Sequence, residues 1–176
     1  MSIQLFTKVL SVFCLLFIAT LDNDVNAQGQ QQATQTEQVY AAENPGWLVN
    51  VDEAYDISKK TGKPIMANFT GSDWCGWCKR LTANVFSKDE FKQWADQNVV
   101  LLELDFPRSK TLPQNIMAQN SSLQQAFQVG GYPTVWVFKL SKDDKLNQYS
   151  IEALGKTGYS ASVEEFTSGV NQMLKK

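Results

Sequence analysis

The chain of 176 residues is predicted to form an α/β fold with a mixed central sheet, on three observations. Helix-type and strand-type patterns alternate along the chain, beginning with the apolar run 65–70. A second apolar run, 99–106, follows a helical segment, and such alternation favours parallel strands. Two later strand-like runs flank the polar turn 142–145, which predicts an antiparallel pair. A sheet with both kinds of pairing and helices between its strands would satisfy all three observations.

Residues 1–27 have the pattern of a secretory signal peptide. Their apolar run, 9–21, is shorter than the about 20 residues that a membrane-spanning helix needs. Val25 and Ala27 stand where signal cleavage requires small side chains, so we predict cleavage after Ala27. An uncleaved membrane anchor is the alternative interpretation.

Cleavage would leave two of the three cysteines in the mature chain. Cys14 would be removed; a lipid-attachment site there is disfavoured because Phe13 stands where a small residue is required. Cys75 and Cys78 close almost no loop, so a bond between them gains little stability from chain entropy. The cysteine pair is therefore interpreted as having a role in a reaction and not in stabilising the fold.

Residues 28–43 are rich in Gln, Ala and Thr and are predicted to be a disordered linker. Residues 44–176 form one predicted domain, long enough to bury a core without further cross-links. The net charge is −2 and no basic stripe occurs, which disfavours nucleic acid as a partner. The absence of histidine excludes His-assisted nucleophiles and His metal ligands, and no cofactor is predicted.

The domain is expected to begin with an edge strand at 47–49 and a helix. Asn50 is the predicted N-cap, Glu53 its capping-box partner, and Gly62 the end of the helix. The inner stripe of this helix is expected to comprise Ala54, Tyr55, Ile57 and Ser58.

The middle of the domain is organised around the strand 65–70, whose alternate side chains should face opposite sides of the sheet. A helix is predicted from Cys75 to about Asn84. Ser87 and Glu90 then form a capping box for a second helix, which leads into the strand 99–106.

The last part of the domain contains a loop, two helices and a hairpin. We predict a loop over 108–120 with at most one helical turn, and then a short helix capped by Ser121 or Ser122 and ending at Phe127. Strands are predicted at 135–140 and within 147–154, with a loop at 155–158. The final helix should run from Ser162 to Leu174, with Glu165 in its capping box.

The two cysteines lie in the turn between the strand 65–70 and the helix that follows it. Cys75 is thereby predicted at a helix N-terminus, where free N–H groups and the helix dipole favour negative charge. We expect this position to lower the pKa of the Cys75 thiol. Cys78 lies one turn further on and can attack a disulfide that Cys75 forms. This arrangement makes and breaks disulfides.

The segment Asp73-Trp74-Cys75-Gly76-Trp77-Cys78-Lys79, followed later by Gly131-Tyr132-Pro133-Thr134 and a strand, resembles the thioredoxin superfamily. The resemblance covers residues 47–174 and implies a thioredoxin-like three-layer α/β/α sandwich. The runs 69–74 and 104–108 are more similar to exported bacterial thioredoxin-like proteins, which resemble the C-terminal domain of the membrane electron transporter DsbD.

The resemblance also implies the site residues. Cys75 and Cys78 would be catalytic. The Tyr132–Pro133 bond would be cis, in a loop beside the cysteines whose backbone pairs with an extended substrate. The substrate-binding residues would be Trp74, Gly76, Trp77, Tyr132 and Pro133.

The sequence departs from the family pattern at the buried Asp that is thought to help deprotonate the second cysteine. Phe69 or Asn68 stands at that place, and neither can accept a proton. Asp73 is expected to be too exposed, which leaves Glu103 on the next strand, water or the leaving thiolate. Trp77 between the cysteines also differs, and it leaves the redox potential open.

The sequence therefore predicts an exported, periplasmic or secreted, thiol–disulfide oxidoreductase that reduces rather than oxidises. Its partners would be protein dithiols or disulfides and a membrane electron donor, with no nucleic acid and no metal. One alternative is a non-catalytic binding module of the same fold. The other is a metal-binding protein, in which the two thiolates of Cys75 and Cys78 would supply half of a tetrahedral site.

Overall fold

In a computed structural model, the described residues, 40–143, 145–146 and 148–175, form a four-stranded sheet between two layers of helices. The strands are β1 Ile65–Thr70, β2 Val100–Asp105, β3 Thr134–Asp143 and β4 Gln148–Thr157. The helices are α1 Val51–Thr61, α2 Gly76–Leu81, α3 Asp89–Asn98, α4 Gln114–Ala126 and α5 Val163–Leu174, with a π-helical turn at Thr82–Phe86 after α2. The predicted α/β/α fold class is confirmed.

The sheet has the order β2-β1-β3-β4 and is mixed, as predicted. β1 pairs in parallel with β2 and antiparallel with β3, and β3 pairs antiparallel with β4. The predicted edge strand at 47–49 is reduced to one bridge, in which Leu48 pairs with Leu102 of β2.

Side chains of β1 alternate between two hydrophobic cores, as the period of two requires. Met66 faces the core that α3 and α5 cover, together with Phe91 and Phe166. Ile65, Ala67 and Phe69 face the other core, which α1 and α4 cover. The site is therefore built on a strand that is buried on both faces.

Helix α1 is bounded as its sequence predicts. The Asn50 side chain accepts hydrogen bonds from the N–H groups of Asp52 and Glu53. Gly62 ends the helix at a φ of 73°, a conformation that glycine adopts without strain. Ile57 is 38% exposed, so its predicted place on the inner stripe is wrong.

The segment after α2 differs from the prediction because its last turn is π-helical. The N–H of Ser87 bonds the carbonyl of Thr82, five residues earlier, and its hydroxyl donates to the carbonyl of Ala83. Ser87 therefore belongs to the end of this turn and does not cap the next helix. Lys88 holds the N-cap position of α3 without a side-chain hydrogen bond.

Helix α4 replaces most of the predicted loop at 108–120. It begins at Gln114, directly after Pro113, and ends at Ala126. A cap at Ser121 or Ser122 is wrong, since both residues lie inside the helix. The helix was not predicted because its sequence is largely polar. It needs few apolar residues, since only Ile116 and Asn120 are buried.

The C-terminal hairpin is longer than predicted. β3 extends to Asp143 and β4 to Thr157, so the predicted loop at 155–158 is largely strand. Helix α5 then begins as predicted, with the Ser162 hydroxyl accepting the N–H of Glu165.

The predicted signal peptide and the linker residues 28–39 lie outside the described residues. Of the remaining linker residues, Glu43 donates its N–H to the Glu103 carboxylate. In the part of the chain that the structure describes, no helix has the length and apolarity to cross a bilayer.

Candidate active site

Cys75 and Cys78 occupy the first turn of α2 and are joined in a disulfide, with Cα atoms 5.2 Å apart. The turn that leads into the helix is closed by the carbonyl of Gly71, which accepts the N–H groups of Trp74 and Cys75. Cys75 is the N-cap, and its Sγ accepts the N–H of Cys78 at 3.1 Å. A helix N–H is thus directed at the sulfur of Cys75.

Both cysteines are nearly covered: Cys75 is 5% exposed and Cys78 3%. They differ in what they face. Cys75 lies between Trp74 and Gly76 in the exposed turn. Cys78 lines a cavity of about 250 Å³ that is partly open to solvent and that Glu103 of β2 also lines.

Trp74 is fixed from three sides although it is 36% exposed. Its indole N–H donates to the carbonyl of Phe106 at 2.8 Å. The Arg108 guanidinium lies 3.8 Å from its ring centroid, and the Tyr132 ring meets it edge-on at 5.8 Å. Gly71 lies under the indole, where no Cβ would fit.

Trp77 is the most exposed of these aromatic side chains, at 54%. Tyr159 meets it edge-on at 4.9 Å, and the Arg80 guanidinium lies 4.6 Å from its ring centroid. The two tryptophans of the motif therefore project beside the disulfide.

The second part of the predicted motif lies against the first. The Tyr132–Pro133 peptide bond is cis. Tyr132 stacks on Phe106 at 5.3 Å and contacts Trp74. The Pro133 carbonyl approaches Gly158, next to Tyr159. The structure thus brings the cysteine turn and the Tyr-Pro loop together.

Asp73 binds the loop that follows β2 and is not available for proton transfer. Its carboxylate accepts the N–H groups of Arg108 and Ser109 and the Ser109 hydroxyl. The hydroxyl bond above all, with the backbone bonds, lowers the pKa of Asp73 to about 2.

Glu103 is a buried carboxyl, 1% exposed, on the cysteine side of β2. Burial raises its pKa, against hydrogen bonds from the Asn44 side chain and from the N–H groups of Glu43 and Asn44. Asn68, its register partner on β1, has a buried amide oxygen that no donor of the described residues reaches. Phe69, the other position that corresponds to the buried Asp of the family, lies in the opposite core.

Asp105, two residues further along β2, was not predicted as part of the site. Its buried carboxylate accepts the N–H and the hydroxyl of Ser72 at 2.9 and 2.6 Å and pairs with Lys110 at 3.0 Å. Asn120 of α4 donates to the Asp105 carbonyl. The signal for this residue was the alternation of two acids with leucines in an apolar strand.

Across residues 40–143, 145–146 and 148–175, no cluster of three or more His, Cys, Asp or Glu side chains is placed to hold a metal ion.

The family model of the thioredoxin-like domain matches residues 51–146, and the chain belongs to this family. The chain is 33% identical over 124 residues to the disulfide bond reductase DsbH of Chlamydia pneumoniae, covering 70% of this chain and 74% of that protein.

Solved structures similar to this chain include a DsbH oxidoreductase and a domain of DsbD. The structure of a DsbH oxidoreductase is 30% identical, with a TM-score of 0.64 over 77% of this chain and 88% of the other. The oxidised C-terminal domain of DsbD from Neisseria meningitidis is 18% identical, with a TM-score of 0.46 over 72% of this chain and 97% of the other. Family membership and the disulfide-bonded pair identify the chain as a thiol–disulfide oxidoreductase.

Proposed function

We propose that this protein reduces protein disulfides in an exported compartment, with Cys75 as the attacking and Cys78 as the resolving thiol. The observation that carries the proposal is the hydrogen bond from the N–H of Cys78 to Sγ of Cys75. A donor in this position stabilises a thiolate, and the thiolate is the nucleophile in disulfide exchange. The name of the Chlamydia relative, a disulfide bond reductase, favours reduction.

The reaction begins with both thiols reduced. The Cys75 thiolate attacks one sulfur of a substrate disulfide, forms a mixed disulfide and releases the first substrate thiolate. The Cys78 thiolate then attacks the Cys75 sulfur, which releases the second substrate thiolate and forms the Cys75–Cys78 disulfide. Two electrons pass from the pair to the substrate, whose thiolates take up two protons. A dithiol donor restores the pair by the reverse exchange.

The Cys78 thiol has to lose its proton before it can attack. Glu103 lines the same cavity as Cys78, is not paired with a cation among the described residues, and has a raised pKa. We assign it as the group that receives this proton, directly or through water in the cavity.

Substrate binding is assigned to the surface around Cys75. Trp74 and Trp77 supply exposed apolar area, and Gly76 leaves the turn open, with no atom within 4 Å of where a Cβ would lie. The Tyr132 backbone before Pro133 would pair with an extended substrate segment.

The assay with insulin tests the activity, and the equilibrium with glutathione tests its direction. We expect the purified protein to accelerate insulin reduction by an external dithiol, and Cys75→Ser to abolish this. A potential of the pair near those of known reductases, about −270 mV, supports the proposal, whereas one near −120 mV would make the protein an oxidant.

Trapping tests the roles of the two cysteines. Cys78→Ser should accumulate mixed disulfides through Cys75, because the resolving step is blocked. Cys75→Ser is the matched control and should accumulate none. Equal trapping by both variants would contradict the assignment.

Export is part of the proposal and rests on residues 1–27. Expression of the full chain in a bacterium should give a mature protein in the periplasm or medium that begins at Gln28. A reductase there depends on electrons carried across the membrane, so we propose a membrane donor as a partner. An uncleaved chain that stays in the cytoplasm would contradict the export.

A further inference from the structure

An almost continuous rim of aromatic side chains borders the disulfide at the surface. We define the aromatic rim as Trp74, Trp77, Tyr132 and Tyr159. Trp74 contacts Tyr132, and Trp77 contacts Tyr159, with centroids 5.8 and 4.9 Å apart. Three of the four rings are exposed by more than a third, Trp74 by 36%, Trp77 by 54% and Tyr159 by 37%. Such exposed aromatic area, with arginine, is typical of binding surfaces.

Each tryptophan of the aromatic rim carries an exposed arginine on its ring. Arg108 lies over Trp74 at 3.8 Å and Arg80 over Trp77 at 4.6 Å. A guanidinium that stacks through its face keeps its N–H donors at the edge. Within the ranges that the structure describes, neither guanidinium has a carboxylate within ion-pair distance. Among the described residues, two exposed arginines without an ion-pair partner thus lie on the tryptophans that flank the cysteine pair.

The local charge is opposite in sign to that of the whole chain. The segment 73–80 and Arg108 hold three cations, Lys79, Arg80 and Arg108, against one carboxylate, Asp73, which gives +2. The entire chain has a net charge of −2. The Asp73 carboxylate is already occupied by two backbone N–H groups and a hydroxyl. An incoming chain therefore meets a positive surface on an acidic protein.

We infer that the aromatic rim with Arg80 and Arg108 selects protein disulfides whose cysteines are flanked by acidic side chains in an extended segment. This inference rests on the proposed function and names its substrate class. Arginine matches a carboxylate in a two-bond geometry, and its place on a tryptophan face pre-organises that geometry. Positive charge around the site also speeds encounter with acidic segments.

The experiment compares three synthetic peptides that each contain one disulfide and differ only beside the cysteines, with Asp, Asn or Lys. The reduced protein is mixed with each peptide, and formation of the Cys75–Cys78 disulfide is followed by stopped-flow tryptophan fluorescence. We expect the second-order rate constant to be roughly tenfold higher for the Asp peptide than for the Lys peptide at low salt. The ratio should fall towards one as the ionic strength rises to about 1 M, since exposed charges are then screened.

Three variants, two double and one single, test whether the two arginines produce this ratio. Arg80→Gln with Arg108→Gln should remove most of the preference, and Arg80→Lys with Arg108→Lys should keep part of it, because charge remains when stacking geometry is lost. Lys60→Gln removes one exposed charge from α1 and is the control that should keep the full ratio. Each variant is judged by the ratio of its own rate constants for the Asp and Lys peptides. A substitution that changes the reactivity of the two cysteines changes both rate constants alike and leaves the ratio unaltered.

Equal rates for the three peptides, or a preference that survives in the double Gln variant, would overturn the inference. The neutral bis(2-hydroxyethyl) disulfide separates this from failure of the proposed function. If the protein reduces it but does not discriminate among the peptides, only the selection is wrong. If the protein reduces neither the small disulfide nor any of the peptides, the proposed function is wrong, and the inferred selection is wrong with it.

Discussion

At the scale of single residues, the position of Trp74 depends on the absence of a side chain at Gly71. A Cβ on Gly71 would lie 2.6 Å from the indole Nε1 of Trp74, closer than real Cβ contacts come. The same Nε1 donates to the Phe106 carbonyl, so the indole cannot move without giving up that bond. The glycine therefore positions an aromatic side chain next to Cys75.

We predict that Gly71→Ala displaces Trp74. Overpacking of this kind destabilises proteins by about 1–3 kcal/mol, and we also expect altered tryptophan emission and slower insulin reduction. The measurement is urea unfolding of the oxidised protein. Gly76→Ala, whose Cβ would meet no atom within 4 Å, is the control and should be at least as stable as the wild type. Equal stability of the two variants would show that the indole moves freely.

Asp105 is the second residue whose role follows from its contacts. The Asp105 carboxylate is fully buried, accepts a hydrogen bond from Ser72 and forms an ion pair with Lys110. Asp89, by contrast, pairs with Lys92 at the exposed surface. A buried acceptor that is lost leaves its donors unpaired, and an exposed ion pair contributes little.

We predict that Asp105→Asn lowers the free energy of unfolding by about 1–3 kcal/mol, because Ser72 and Lys110 lose a charged acceptor. The matched change Asp89→Asn should alter it by less than about 1 kcal/mol. Both values come from urea titrations at pH 7. Similar losses in the two variants would mean that the buried carboxylate adds nothing beyond an exposed one.

At the scale of elements, the sequence predicted the start of each helix whose first turn is capped by a side chain. Asn50 and Ser162 cap α1 and α5 through their own side chains, and both starts were predicted. The start of α4 was missed because Pro113, at its N-cap position, makes no side-chain cap bond. The start of α3 was misplaced because the π-helical turn at Thr82–Phe86 is a tertiary adjustment without a sequence signature.

Helix α5 contains a glycine in its interior that no neighbour requires. Gly169 has no atom within 4 Å of the position that a Cβ would take, whereas Gly155 on β4 faces Met173 of α5 with a Cβ position 2.7 Å from Cγ. The two glycines therefore differ in what an added methyl group would meet.

We predict that Gly169→Ala stabilises the protein by about 1 kcal/mol, since alanine is the better helix former and meets no obstacle. Gly155→Ala should destabilise it, because Met173 has to leave its packing position. Thermal and urea unfolding of both variants measure the difference. A shift of the same sign in both would contradict the packing of β4 against α5.

At the scale of the whole molecule, the alternation of acids along β2 links the fold to the site. Leu102 and Leu104 fill one core, so Glu103 and Asp105 have to face the side that carries the cysteines. The period of two could have predicted this placement from sequence. What it could not predict is that Asp105 meets Lys110 and Ser72 while Glu103 receives only neutral donors, because those contacts depend on loops distant in the chain.

The raised pKa of Glu103 makes global stability depend on pH in a defined direction. The folded protein holds the Glu103 proton to a higher pH than the unfolded chain, whose Glu has its ordinary value of 4.5. Between these two pKa values the unfolded state binds fewer protons, so the free energy of unfolding falls as pH rises. The contribution is complete below the unfolded pKa and is lost as pH passes the folded one.

We predict that the free energy of unfolding of the wild type, relative to Glu103→Gln, decreases from pH 4 to pH 8. The oxidised protein is used, so that no cysteine titrates, and urea titrations at several pH values give the difference. Glu90→Gln removes an exposed carboxyl from α3 and should give a difference that stays nearly flat. If the stability difference between the wild type and Glu103→Gln is independent of pH, or grows with pH, burial does not raise the pKa of Glu103. Glu103 would then lose its assignment as the proton acceptor for Cys78.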